Sequence, residues 1–282
     1  MVKEIKKVRA PVRIDFAGGT TDIYPFTHTH GGAVLNAAIN CHVYGKLSKS
    51  NNNVKLEYSS DIPTSSGLGT SSAMNVVWTS LITNHLNQKE IAEAVFRIEQ
   101  SISESRVNGK QDQYAAALGG INYFEFKKEK VIVHKLNLRK EFINKLENKL
   151  VLVYSGKTHY SGVSNKSAID NLLKGKNTEN LVRLKKIASQ MKNALLKENL
   201  NKFAELMNQE TEERRKLSKT IVSTQLQKII DDGMKNGALG AKVCGSGGGG
   251  SILFLGNEKK LVKKFGSKVI PFKFDFEGVR TV

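Results

Sequence analysis

The sequence predicts a mixed α+β protein with two lobes. Strand patterns and helix patterns come in separate groups along the chain, without the regular alternation of strand and helix that a parallel sheet requires. The 282 residues suffice for two ordinary domains, and 39% hydrophobic with 25% charged residues is typical of a globular protein. A buried-strand pattern begins near Lys149, so we expect one domain over residues 1–148 and a second over residues 149–282.

The first half is predicted to contain strands, then helices, then a hairpin. Its strands combine β-branched and apolar residues between turn signals, and its helices carry apolar residues at helical spacing. The predicted elements are strands at residues 8–16, 33–47 and 54–58, helices at 71–84 and 88–105, a short helix ending at Gly119, and hairpin strands at 121–126 and 131–136.

The second half is predicted to be rich in helices. It opens on the apolar run 150–154, and two apolar stripes follow, through Leu181–Leu195 and Phe203–Met207, which we assign to core. Residues 241–244 and 251–255 are predicted as strands that flank a loop of glycines.

Composition limits the classes of function. The net charge of +18 suggests nucleic acid, but the lysines are dispersed and no stacking platform of aromatics accompanies them, so most belong to solvated helix faces. No apolar run approaches a membrane span or a signal-peptide core. Cys41 and Cys244 lie far apart, which predicts neither a disulfide framework nor a zinc site and favours a reducing cytoplasm.

A loop of glycines and hydroxyls at residues 63–73 opens directly onto an apolar helical segment. Glycines let the backbone approach a bulky ligand, and the free N–H groups of a first helical turn attract negative charge. A Ser/Gly linker is the alternative, but linkers seldom contain an embedded leucine or a sharp helix start. We therefore predict a polyphosphate cradle. Its residues are Ser65, Ser66, Gly67, Leu68, Gly69, Thr70, Ser71 and Ser72.

Three glycine segments, at residues 17–22, 63–73 and 244–250, resemble in order and content the three motifs of the GHMP kinases. Residues 9–22, 30–36 and 109–114 resemble most closely the sugar-kinase branch that includes heptose 7-phosphate kinases. The resemblance covers nearly the whole chain. It implies a two-lobed fold, with an N-terminal domain like ribosomal protein S5 domain 2, a ferredoxin-like C-terminal domain, and ATP in the cleft between them.

The resemblance also implies catalytic roles. Asp112 matches the family's catalytic aspartate, which orients an acceptor hydroxyl or takes its proton; a helix N-cap is the alternative. Arg13 and Lys110 would offset the charge of the transferred phosphoryl group. Asp22 would bind sugar hydroxyls, beside Gly18, Gly19 and Thr20. A surface ion pair for Arg13 and a turn position for Asp22 are the alternatives.

Magnesium requires hard oxygen ligands. The resemblance suggests Ser72 and a helix glutamate upstream of Asp112, for which Glu99 fits best and Glu104 competes. His28 and His30 lie on a loop without a third ligand, so we expect both to face solvent.

The third glycine segment would lie against the first and complete the cleft. Residues 154–159 resemble a substrate-side loop in which the heptose-kinase branch usually has arginine at the position of His159. Whether the acceptor already carries a phosphate therefore stays open.

The sequence thus predicts an ATP- and Mg²⁺-dependent kinase acting on a hydroxyl, expected to be the anomeric one, of a sugar or sugar phosphate such as D-glycero-D-manno-heptose 7-phosphate. The alternatives are a kinase for galactose, fucose, a polyol or mevalonate, a catalytically silent sugar or nucleotide sensor, and, third, a basic nucleic-acid binder. The oligomeric state stays open between monomer and homodimer.

Overall fold

Two antiparallel sheets form the framework of the chain, and helices cover them. The computed structural model describes residues 2–50, 53–102, 108–156, 170–171 and 174–282. The strands of these residues are β1 (Val2–Ala17), β2 (Gly32–Ser50), β3 (Val54–Ser60), β4 (Ile121–Lys127), β5 (Lys130–Lys135), β6 (Leu150–Tyr154), β7 (Ala238–Val243), β8 (Ser251–Gly256), β9 (Val269–Ile270) and β10 (Arg280–Thr281).

The helices follow the predicted grouping. Those in the described residues are α1 (Phe26–Thr29), α2 (Thr70–Ile82), α3 (Gln88–Ile102), α4 (Gln111–Leu118), α5 (Lys140–Glu147), α6 (Thr178–Leu196), α7 (Leu200–Leu217), α8 (Thr224–Lys235) and α9 (Glu258–Phe265), with a 3₁₀ turn at Gly266–Lys268. The mixed α+β prediction is confirmed. The helix predicted to reach residue 105 is described as far as Ile102.

The larger sheet has six strands in the order β10-β1-β2-β4-β5, with β3 paired to the far end of β2. The long β1 and β2 are antiparallel, with Val8 opposite Gly45 and Arg13 opposite Ala38. Alternate residues of a strand face opposite sides of its sheet. In β1 both sides are buried, so Arg13 and Asp15 lie on one covered face while Val12 and Ile14 lie on the other.

The smaller sheet has the order β7-β8-β6-β9. The strand–loop–strand unit predicted around the third glycine segment is β7 and β8, which are antiparallel neighbours. Residues 244–250 therefore form the connection at one edge of this sheet, next to the end of β1.

The two halves of the chain share one core. Ile187, Met191 and Phe203 of the second half belong to the same buried cluster as Val12 and Leu35 of the first. The C-terminal strand β10 also returns to pair with β1. A boundary between residues 148 and 149 stays a prediction.

Among the described residues, none of the helices combines the length and the apolar character needed to cross a bilayer.

Candidate active site

A cavity of about 360 Å³ lies where the three glycine segments meet. Most of the predicted site residues line it. They are Arg13, Gly19, Thr20, Asp22, Ser65, Ser66, Gly67, Gly69, Thr70, Ser71, Ser72, Glu99 and Asp112. Gly18, Leu68 and Lys110 are not among the lining residues, and His159 and Glu104 lie outside the described part of the chain.

The N-terminus of α2 faces this cavity, and no side chain caps it. Gly69 precedes the helix with a left-handed φ of 75°, and the first turn contains no acidic residue. The first N–H groups of a helix have no partner within the helix, and they carry the positive end of its dipole. Because Thr70, Ser71 and Ser72 line the cavity, these donors face the space that a ligand would occupy.

The side chain of Leu68 does not lie where the prediction of a polyphosphate cradle placed it. Its side chain is fully buried in the core, and its carbonyl accepts a hydrogen bond of 2.9 Å from the Arg13 backbone N–H. An apolar side chain inside a polar loop turns away from water. Leu68 therefore anchors the loop on β1 and does not present its side chain to a ligand.

Arg13 and Asp112 form a two-point ion pair at the cavity wall. Arg13 Nε donates to Asp112 Oδ1 at 2.7 Å and Nη2 donates to Oδ2 at 2.9 Å, while Nη1 donates to the Gly67 carbonyl at 2.8 Å. Burial by itself would lower the pKa of Arg13, but Asp112 and Asp15 outweigh it and hold the pKa above its usual range. Arg13 thus fixes the orientation of the Asp112 carboxylate relative to the glycine loop.

The alternatives considered for these two residues do not fit their surroundings. Lys110, not Asp112, holds the N-cap position of α4, and both oxygens of Asp112 accept from Arg13. Arg13 is buried and is not part of a surface ion pair.

Asp22 is buried beside the start of α4. Its Oδ2 accepts from the Gln111 backbone N–H at 3.1 Å. Burial and then the neighbouring Asp112 raise the pKa of Asp22 to about 6, against a partial lowering by that backbone hydrogen bond. A Cβ on Gly109 would lie 2.0 Å from Asp22 Oδ2, so only glycine permits this approach. The sequence analysis gave Gly109 no such role.

Lys110 is a correction to the prediction. Its ammonium group donates to the Glu93 carboxylate at 3.2 Å and to the Glu129 carbonyl at 2.9 Å, and it lies 4.6 Å from the ring centre of Phe96. A buried ammonium requires such partners. They direct it away from the cavity, so Lys110 fastens α4 to α3 and to the β4–β5 turn.

Gly18 is also not at the cavity. Its φ is +87°, and a Cβ there would lie 2.0 Å from the Ala33 carbonyl oxygen. Gly18 is required for the close packing of the turn on β2, while Gly19 and Thr20 present the turn to the cavity.

Ser72 and Glu99 meet at the mouth of α2. Ser72 Oγ donates to Glu99 Oε2 at 3.3 Å, and Asn75 Nδ2 donates to Glu99 Oε1 at 2.8 Å. Gln113, which follows Asp112 in α4, also donates to Glu99 Oε2. Burial raises the pKa of Glu99, and these three donors partly offset it. The prediction that Ser72 and Glu99 share one location agrees with this geometry.

The third glycine segment packs mainly on the second, where the prediction had placed it against the first. A Cβ on Gly245 would lie 2.6 Å from the Gly67 carbonyl oxygen, and one on Gly250 would lie 2.7 Å from that of Ser66. The two backbones touch, which explains why residues 67, 245 and 250 are glycines. The third segment also contacts β1 just before the first segment, where Asp15 Oδ1 accepts from the Gly245 N–H at 3.0 Å.

A buried ionic cluster behind the cavity escaped the sequence analysis. Lys242 Nζ lies 3.0 Å from Asp15 Oδ2 and 3.4 Å from Glu210 Oε1, and Arg214 Nη1 lies 3.6 Å from Asp15 Oδ2. Arg214 Nη2 donates to the Gly245 carbonyl at 2.6 Å. The four residues of this cluster, Asp15, Glu210, Arg214 and Lys242, are each at most 2% exposed.

The signal for this cluster was weak. Arg214 lies among basic residues most of which were expected on solvated helix faces, and it is buried instead. The hint was Lys242, a charged residue in the buried strand β7 next to the third glycine segment. In contrast, His28 and His30 are exposed, as predicted.

Comparison with known proteins agrees with this architecture. The family model described as GHMP kinases N terminal domain matches residues 34–120, and the one described as GHMP kinases C terminal matches residues 191–274. The chain belongs to the GHMP kinases. The family makes it an ATP-dependent small-molecule kinase.

Particular relatives are named as heptose phosphate kinases or as a putative sugar kinase. The chain is 27% identical to a D-glycero-alpha-D-manno-heptose 7-phosphate kinase of Campylobacter jejuni, over 98% of both chains. A crystal structure of a D-glycero-D-manno-heptose 1-phosphate kinase from Bacteroides thetaiotaomicron matches with a TM-score of 0.78 and 25% identity, over 99% of both chains. A putative sugar kinase from Campylobacter jejuni matches with a TM-score of 0.73 and 25% identity, over 99% of this chain and 98% of the other.

Proposed function

We propose that this protein transfers the γ-phosphoryl group of ATP to the anomeric hydroxyl of a sugar, with D-glycero-D-manno-heptose 7-phosphate or a closely related heptose as acceptor. The observation that carries the proposal is the placement of Asp112. Its carboxylate lies in the same cavity as the uncapped start of α2 and is held by Arg13, which also binds the Gly67 carbonyl of the phosphate loop.

In this proposal the loop of residues 65–72 holds the polyphosphate. The first-turn N–H groups of α2 donate to phosphate oxygens, and the helix dipole favours their charge. Further hydrogen-bond donors to the phosphates come from three hydroxyls in the lining of the cavity, those of Ser65, Ser71 and Ser72.

Asp112 orients the acceptor hydroxyl and accepts its proton as the new bond to phosphorus forms. Each carboxylate oxygen has two lone-pair directions, and Arg13 occupies one on each, so both oxygens keep a free acceptor site. The Arg13 guanidinium next to Asp112 offsets negative charge that builds on the transferred group. Asp22 accepts hydrogen bonds from further hydroxyls of the sugar.

The residues at the mouth of α2 fit a magnesium ion. Ser72 and Glu99 offer a hydroxyl and a carboxylate, both hard oxygen ligands, and a cation would compensate the carboxylate that burial makes costly to ionise. When bound, Mg²⁺ neutralises charge on the β- and γ-phosphate oxygens. Glu99 is our choice of ligand over Glu104.

The heptose assignment rests on the names of the two relatives and on cationic groups near the cavity. Arg214 lines the cavity and its Nε has no hydrogen-bond partner in the described structure. Arg13 is the second cation of the lining, which also contains the carboxylates of Asp15, Asp22, Glu99 and Asp112. A phosphate carried by the acceptor would bind to one of these two guanidinium groups. Galactose, fucose, a polyol or mevalonate are the competing acceptors.

The test is an ADP-release assay on a panel of acceptors, comprising heptoses, hexoses and polyols, each free and phosphorylated, together with mevalonate. We expect the highest kcat/KM on a phosphorylated heptose, and phosphorus and proton NMR of the product should show the new phosphate on the anomeric carbon.

Faster turnover of mevalonate or of a free hexose would overturn the heptose assignment while leaving the kinase assignment in place. ATP binding without ADP release on any acceptor would instead favour the silent sensor. Reactions without acceptor measure the background hydrolysis of ATP.

A further inference from the structure

The strand β3 leaves one edge of the larger sheet open. Among the described residues it pairs with β2 alone. Its apolar residues alternate with charged ones, and the apolar set is exposed, with Val54 66%, Leu56 49% and Tyr58 57% accessible. Exposed apolar edge strands are ready to pair with another strand, and proteins usually protect them.

The backbone of the same three residues points to the open side. At the two ends of the β2–β3 pairing, Ser50 N–H donates to the Asn53 carbonyl and Asp61 N–H donates to the His42 carbonyl. Bonding groups alternate sides along a strand, so the odd-numbered residues of β3 bond to β2. Val54, Leu56 and Tyr58 therefore direct their N–H and C=O groups outward.

The helix α2 extends this apolar edge into a surface. Tyr58 packs edge-on against Trp78, with 5.9 Å between ring centres. Leu56 lies opposite the buried Leu47 and so shares its face of the sheet, and Ile82 at the end of α2 is 69% exposed. The surface consists of Val54, Leu56, Tyr58, Trp78 and Ile82.

The sequence of β3 is complementary to itself in one antiparallel register. With Leu56 opposite Leu56 of a second copy, Val54 faces Tyr58, and Lys55 faces Glu57, twice each by symmetry. A shift of the centre to residue 55 would place two lysines opposite each other, and a shift to residue 57 would place two glutamates there. Like charges directly opposite are destabilising.

We propose that this protein forms a two-fold symmetric homodimer by antiparallel pairing of β3 with β3 of a second copy, centred on Leu56. The pairing supplies about six backbone hydrogen bonds from three hydrogen-bonded residue pairs. It joins the two sheets into one and places the apolar surfaces of both copies on the same side. Because the contact is isologous, it closes and leaves no β3 edge for further addition.

The register is tested by disulfide trapping. In a hydrogen-bonded antiparallel pair the two Cα atoms are about 5.5 Å apart, within the range that a disulfide spans. We expect Leu56→Cys to form a covalent dimer on mild oxidation. Tyr58→Cys is the matched control, since its two copies would be separated by four residues of strand, about 13 Å. The native Cys41 and Cys244 are both buried and free.

Association is measured by sedimentation velocity over a range of micromolar concentrations. We expect a dimer, and we expect Leu56→Glu to weaken it at least about tenfold because two like charges would meet at the two-fold axis. Leu239→Glu is the control, since Leu239 is 56% exposed on another strand, β7. It should leave the dimer intact.

A wild-type protein that stays monomeric at about 100 µM, a dimer that Leu56→Glu does not weaken, or equally efficient trapping through Tyr58→Cys would each overturn the proposal. The readouts concern association only, so their outcome is independent of the kinase proposal.

Discussion

Two ion-paired groups of residues lie next to each other in this protein. One is the pair Arg13 and Asp112, and the other is the buried cluster of Asp15, Glu210, Arg214 and Lys242. Arg13 and Asp15 lie two residues apart on the same face of β1. Arg13 pairs with Asp112, whose side chain is 26% exposed to the cavity, whereas Asp15 pairs with Lys242 and Arg214, both at most 2% exposed. The first group can reach a ligand through Asp112, and the second joins β1 and α7 to the third glycine segment.

The comparison shows that the charges around a buried carboxylate, and not its residue type, decide the direction in which its pKa moves. Burial raises the pKa of a carboxyl group, but Lys242, Arg13 and Arg214 outweigh burial for Asp15 and hold its pKa below the usual range. Asp22 is also buried, but burial and the neighbouring Asp112 outweigh the backbone hydrogen bond from Gln111 and the small contribution of Arg13, and they raise its pKa to about 6. Asp15 is therefore held as an ion by its cations, whereas Asp22 takes up a proton near pH 6.

The largest effect expected is on turnover. Asp112→Asn should lower kcat by about 10²–10⁴-fold, since the amide accepts no proton from the acceptor hydroxyl. Nucleotide affinity, measured by calorimetry, should change little. The melting temperature should fall, because the buried Arg13 loses the charge of its partner and the amide NH₂ faces a guanidinium donor. Turnover near that of the wild type would refute the assigned role of Asp112.

For the buried cluster the main effect is expected on stability. Lys242→Met should reduce the free energy of unfolding by about 3–5 kcal/mol, because Asp15 and Glu210 would lose their shared cation in a dry environment. Urea denaturation measures this change. Lys259→Met on the exposed side of α9 is the matched control and should change stability by less than about 0.5 kcal/mol. If the urea midpoint of Lys242→Met equals that of the wild type, the structural role assigned to the buried cluster is wrong.

The substitution Asp22→Asn should change the free energy of unfolding less than Lys242→Met does, and it should increase it. Its pKa is about 6 in the folded protein against 3.8 for the free group, so the folded state binds the proton more tightly and the free energy of unfolding falls as the pH rises from about 4 to about 6. Asp22→Asn should therefore stabilise the protein at pH 8 by up to about 3 kcal/mol. That gain should disappear towards pH 4.

The same substitution should impair acceptor binding. In the proposed function the ionised Asp22 accepts hydrogen bonds from the sugar, so the acceptor KM of the wild type should rise as the pH falls through the Asp22 pKa of about 6. In Asp22→Asn, KM should be high at every pH. Loss of stability at pH 8, or a KM of the wild type that is flat from pH 5 to 8, would contradict the position given to this carboxylate.

The loop at residues 65–72 could be predicted from local sequence, because its glycines, hydroxyls and helix start are adjacent in the chain. The pair Ser72 and Glu99, and the group of Arg13, Asp22 and Asp112, were predicted from the resemblance to the GHMP kinases, since these residues lie up to 99 positions apart. Lys110 and Leu68 were assigned to the site because they lie within these motifs. Neighbouring residues of a loop or first helical turn point in different directions, and only the partners Glu93 and Glu129 for Lys110, and the core for Leu68, determine where these two go.

The class of fold and the position of the glycine loop at residues 63–73 follow from the sequence, because strand and helix periodicity and glycine-dependent turns are local properties of the chain. The residues proposed for the chemistry follow from the resemblance of three sequence segments to the GHMP kinases. The tertiary structure alone decided that Asp15, Glu210, Arg214 and Lys242 form one buried cluster, and that Gly245 packs on Gly67. These contacts join residues up to about 227 positions apart. No local pattern predicts these contacts, because each one depends on a partner residue that only folding brings close.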